Sequence, residues 1–168
     1  MSVRSAAIRA SSILALYLLV NPAQAAPDQP LCLDTLTHMS RCELEALYRA
    51  APPAPCLDGY YAGRSMKHPK ATGMLWKGKL FCAADGKLIN RWCLGLHAIE
   101  ACIYPGESWL DGKPSLIMDY RESSRVWKDV RDELREVAPG LYLGIMYRDK
   151  GCCEPKFETF FALECGCH

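Results

Sequence analysis

Residues 74–120 read MLWKGKLFCAADGKLINRWCLGLHAIEACIYPGESWLDGKPSLIMDY. Apolar runs rich in Leu, Ile, Trp, Phe and Tyr alternate there with short Gly, Asp and Pro punctuation. That is the pattern of successive antiparallel strands joined by tight turns. Asp85-Gly86 is a strong hairpin turn, because both positions tolerate positive φ. The spacing predicts strands over 74–83, 87–94, 97–104 and 115–120, with Pro105-Gly106 and Asp111-Gly112 turning the chain.

The flanks extend the pattern. Residues 57–64 form a first strand broken by glycines, and 141–147 (LYLGIMY) and 157–164 (FETFFALE) are plain strands. Residues 121–137 admit two readings. Val126, Val130, Leu134 and Val137 sit at helical spacing, whereas the tight Ala138-Pro139-Gly140 turn favours a strand over 131–137, which is the preferred reading. Upstream, 32–50 is helical in pattern, with Ser40 and Glu43 as a capping box and Leu44, Leu47 and Tyr48 on one face. Pro52-Pro53 ends it. Seven or eight short strands after one helix give the expected fold class: mainly β, a small antiparallel barrel whose closure removes exposed edges.

The chain opens as an export signal. Arg4 and Arg9 precede an apolar stretch at 13–20, too short to span a bilayer, and Ala23-Gln24-Ala25 supplies a small-x-small cleavage pattern. The expected organisation is a signal peptide at 1–25, a lead and helix at 26–55, and a barrel domain at 56–168, in a periplasmic or secreted protein. Removing 25 residues leaves 143 of 168, with 18 basic and 19 acidic side chains and a net charge of −1. A near-neutral domain lacks the basic footprint that nucleic acid demands. No transmembrane segment is expected in the mature chain.

All ten cysteines follow the signal: Cys32, Cys42, Cys56, Cys82, Cys93, Cys102, Cys152, Cys153, Cys165 and Cys167. An even count in an exported small domain reads as a disulfide framework. The local pairings considered are Cys93 with Cys102, across a hairpin, and Cys32 with Cys42. Cys152-Cys153 with Cys165, Cys167 and His168 is the alternative soft-metal set, but Cys-Cys and Cys-x-Cys lack the usual zinc spacing, so no metal is expected.

Trp76-Lys77-Gly78-Lys79-Leu80-Phe81, Met118-Asp119-Tyr120, Asp132-Glu133-Leu134-Arg135-Glu136-Val137, Leu143-Gly144-Ile145-Met146 and Phe160-Phe161-Ala162-Leu163 occur in one order. That order resembles small bacterial lipocalin-like proteins of the GXWXG type. It is more closely similar to an uncharacterised group sharing ESWLDGK and DELREVAPGLYLG strings. The resemblance implies a fold more than an activity. Here Gly59-Tyr60-Tyr61-Ala62-Gly63 stands where a GxWxG box has Trp at its centre.

Small eight-stranded barrels enclose one ligand or a filled core. Trp76, Phe81, Trp92, Tyr104, Trp109, Tyr142 and Phe160 are the aromatic stock for an apolar pocket. The charged block of residues 131–136 (Arg131, Asp132, Glu133, Leu134, Arg135, Glu136) adds Asp132 and Arg135 as candidates to grip a polar headgroup. The expected function is binding of a small apolar or amphipathic molecule, without a cofactor. The alternatives are an envelope structural or interaction protein with a filled barrel, and an enzyme using the charged block. No G-x-S-x-G elbow, phosphate-binding glycine loop or H-E-x-x-H motif is present.

Overall fold

The computed structural model describes residues 30–67 and 74–165. The expected signal peptide and cleavage site, His68, Cys167 and His168 lie outside the described residues. Eight strands follow two short helices: α1 (Leu33–His38), α2 (Arg41–Ala50), β1 (Gly59–Ser65), β2 (Trp76–Cys82), β3 (Lys87–Trp92), β4 (His97–Glu107), β5 (Pro114–Asp119), β6 (Val130–Ala138), β7 (Leu141–Arg148) and β8 (Lys156–Cys165). Each strand pairs antiparallel with the next, and β1 pairs with β8, so the sheet closes into an up-and-down barrel. Residues 121–129 are turns and bends, and β6 follows them as a strand, the second of the two readings of 121–137.

The capping box starts α2. Ser40 Oγ accepts from the Glu43 amide at 3.3 Å, and Glu43 Oε2 accepts from the Ser40 amide at 2.7 Å. Proline stops the helix after Ala51, but the prolines also begin closing the barrel. The Glu136 amide donates to the Pro52 carbonyl at 3.0 Å, and Ala54 and Leu57 pack into the barrel interior.

Alternation sorts the side chains into two clusters. Tyr61, Phe81, Leu88, Ala101, Leu116, Met118, Tyr120, Leu134, Tyr142, Phe161 and Leu163 fill the inside. Leu141, Leu143, Ile145 and Tyr147 of β7, with Phe160 and Ala162 of β8, face outward and are covered by Leu36, Leu44 and Tyr48 from the helices. β7 is therefore apolar on both faces, which explains its unbroken LYLGIMY run.

Two sequence expectations need correction. Pro105-Gly106 is not a turn; it lies within β4, paired with Leu116 and Ser115. The Ile103 amide reaches the Gly86 carbonyl just where β3 begins, so the position two residues on faces the side where β3 has ended. A proline there loses no ladder bond. Gly106 serves close approach instead, since a Cβ would come within 2.8 Å of Ile117 Cγ1.

The second correction concerns the cysteines. None of the nine described is in a disulfide, and most are exposed. Cys152 and Cys153 have sulfurs 3.7 Å apart without a bond. The hairpin register opposes Cys102 to Lys87, not to Cys93, because the β3–β4 turn falls at 93–95. Cys93 and Cys102 therefore sit at opposite ends of that hairpin.

Candidate functional site

One cavity of about 210 Å3 occupies the half of the barrel at the β1–β2, β3–β4 and β5–β6 connections. Trp76, Trp92, Trp127, Met146 and Phe161 supply most of its apolar wall, and Lys79, Asn90 and Asp132 its polar part. The opposite half is filled. Tyr61 packs edge-on against Phe81 and Tyr142 at 5.4 and 5.6 Å between ring centroids, beside Ala54 and Leu57. Met74, Leu75, Leu94, Leu96 and Val126 are exposed on three of the four connections at the cavity end.

The polar part is a closed network across the interior. Lys79 on β2 stretches to the opposite wall, where Nζ donates to Asp132 Oδ2 of β6 at 2.9 Å. It also donates to the Tyr120 hydroxyl at 2.6 Å and to Asn90 Oδ1 at 3.1 Å. Trp76 Nε1 donates to the same Asn90 oxygen at 3.1 Å. Asn90 Nδ2 donates to Tyr120 and to the Ile99 carbonyl, and the Tyr120 hydroxyl donates to Asp132 Oδ2 at 3.2 Å. The rings of Trp76, Tyr120 and Phe161 lie 5.3–5.5 Å from the Lys79 ammonium. Burial pushes the Lys79 amine below its ordinary value against the pull of Asp132. Burial, then the Asp132 charge, holds the Tyr120 hydroxyl well above its own. Tyr120 is therefore a hydroxyl donor at any physiological pH.

Irregular backbone builds this arrangement. Ile99 has φ +69° and is the extra residue where Asn90 pairs with Ala98 and Ile89 with Glu100. The bulge offers the Ile99 carbonyl to buried Asn90 at 2.8 Å. A second register shift falls between Trp76 and Gly78. It lets Trp76 and Lys79, three positions apart, share the interior, where strict alternation would separate them. Gly63 is the bed for the indole, since a Cβ there would lie 2.5 Å from Trp76 Cη2. Gly144 makes room for the Phe161 ring in the same way.

The sequence candidates therefore scatter. Trp76, Trp92 and Asp132 line the cavity. Phe81 and Tyr142 point inward but belong to the filled half. Tyr104 is exposed and donates to Asp119 at 3.2 Å, and Trp109 is half-exposed beneath the Arg131 guanidinium, 4.1 Å from its centroid. Phe160 faces the helices. Arg135 also lies outside, fully buried, with Nη1 and Nη2 at 2.9 and 2.7 Å from the two Asp111 oxygens and a further bond to the Tyr48 carbonyl. Glu133, between them, accepts from Ser108, Arg131, the Trp109 amide and Tyr48. Burial raises its carboxyl above the ordinary range. The charged block thus splits: Asp132 faces the cavity, while Arg131, Glu133 and Arg135 fasten α2 and the 108–114 connection to the outer wall.

Lys79, Asn90 and Tyr120 were not among the sequence candidates. Lys79 stands two positions before inward Phe81, and Tyr120 two after inward Met118, so strand parity alone points both inward.

No family model matches the chain, and no curated protein matches it. The crystal structure of a protein from Thermomonospora curvata superposes with a TM-score of 0.53 at 20% identity, covering 75% of this chain and 87% of that one. That likeness extends to the fold.

Proposed function

We propose that this chain is an exported, lipocalin-like carrier of a small amphipathic molecule. The observation that carries the reading is the pairing of an apolar cavity with one buried polar cluster in a barrel closed at its other end. Such a combination of apolar walls and a few placed polar groups is how small-molecule sites are made. The volume is below the roughly 300–1,000 Å3 of drug-sized clefts, so the ligand is small. Lys79 and Asp132 neutralise each other, which leaves the cavity without net charge. The reading as an enzyme acting through the charged block has less support, since its members stand on two sides of the β6 wall.

Native mass spectrometry of the protein purified from its own cell envelope tests the proposal. A co-purifying small molecule, lost from a variant in which Met146→Trp fills the cavity, is the expected result. Spectra that stay empty over repeated gentle preparations count against a carrier and favour the filled-barrel structural protein.

A further inference from the structure

Counting hydrogen-bond capacity in the cavity network identifies what the bound molecule must offer. A lysine ammonium has three donors, a primary amide two, an indole one and a phenol one. In this cluster every one is engaged: Lys79 with Asn90, Tyr120 and Asp132; Asn90 with Ile99 and Tyr120; Trp76 with Asn90; and Tyr120 with Asp132. On the acceptor side Asn90 Oδ1 receives two bonds, the Tyr120 oxygen two, and Asp132 Oδ2 two. Asp132 Oδ1 is buried and receives none. Asp132 itself lines the cavity and is only 3% exposed.

A buried carboxylate oxygen without a partner is costly, and more so in a low-dielectric interior. From this, and resting on the carrier reading, we infer that the ligand is an uncharged hydrogen-bond donor on an apolar body, of the alcohol or amide class, with its O–H or N–H given to the Asp132 carboxylate once the side chain turns its unpartnered oxygen to the cavity. The same inventory disfavours an anion at this cluster. A carboxylate or phosphate needs donors, and this cluster has none left to give. It would also face the Asp132 charge, while the one cation is already neutralised.

Three probes with one apolar body separate the possibilities: 1-octanol, methyl octyl ether and octanoate, titrated calorimetrically into the purified protein. The inference expects 1-octanol to bind about tenfold or more tighter than either of the others, the worth of one hydrogen bond to a charged group. Ether or octanoate binding within threefold of the alcohol, or tighter, overturns the donor assignment and leaves the carrier reading standing. If none of the three binds, the carrier reading falls, and the inference with it.

The double variant Lys79→Met with Asp132→Leu removes the charged pair together and keeps the bonds of Asn90 to Trp76, Ile99 and Tyr120. There the preference for the alcohol over the ether should shrink to within about twofold, because the carboxylate that accepts from the alcohol is gone. A preference that persists in that variant places the recognising group elsewhere and also overturns the inference. The wild-type series decides by itself should the variant not fold.

Discussion

Lys79 Nζ and Asp132 Oδ2 lie 2.9 Å apart across the interior, joining β2 to β6, four strands away around the barrel. Two charges buried to this degree attract strongly, but each also loses its hydration. Removing either alone strands the other, at a cost of about 3–5 kcal/mol. We expect Lys79→Met and Asp132→Leu to be destabilised singly by that amount. The double variant should be near wild type, or more stable. Urea unfolding of the four proteins as a cycle checks this; additive losses would show that the two side chains are not coupled.

The outer-wall pair of Arg135 and Asp111 predicts a pH dependence. Hydrogen bonds from the Arg135 guanidinium hold the Asp111 carboxyl below its usual range. Its folded value lies under the unfolded value of about 3.9, so its contribution is present above that pH and fades as the pH falls through the folded value. Asp111→Asn should cost about 3–5 kcal/mol at neutral pH, because buried Arg135 then loses the carboxylate that pairs with it. The gap between wild type and variant should narrow as the pH drops below 4. A gap independent of pH, in denaturant titrations from pH 7 to 3, would refute the assignment.

Gly63→Ala tests the bed of Trp76. The new methyl would stand 2.5 Å from the indole and 2.8 Å from the Gly78 Cα, so the ring must leave its place. A loss of about 1–3 kcal/mol is expected from this overpacking, together with a shifted tryptophan emission. Unchanged emission and stability would mean that the indole does not rest there.

Oxidised protein should yield no Cys93–Cys102 peptide on digestion and mass mapping. Cys93 lies six positions along the chain from Lys87, the partner of Cys102, and at about 3.3 Å per residue that is about 20 Å. A disulfide needs Cα atoms within about 7 Å. Recovery of that peptide in high yield would show a different hairpin register.

Much of the barrel was legible because its turns announce themselves. Asp85-Gly86, Asp111-Gly112 and Pro139-Gly140 each fall in a connection between strands. Pro105-Gly106 carries the same signal with another cause, an unpaired strand side and a close approach to Ile117. Pattern cannot distinguish the two. The opposite facing of Asp132 and Arg135 was available in principle, since positions three apart on a strand without a bulge fall on opposite sides. The cavity network was not. Its bonds join Lys79 to a carboxylate 53 residues away, and the shift that brings Trp76 inside depends on β2's partner, not on β2's own residues.

Packing by Ala54, Leu57, Tyr61, Phe81 and Tyr142 makes the interior a cul-de-sac. Among the described residues, Trp127 stands on the β5–β6 connection at the open end, edge-on to both Tyr120 and Trp92. On the carrier reading proposed above, a guest would pass Trp127 on entry and on release, so the rate of exchange would be set at that indole and the strength of binding at the Lys79–Asp132 strut.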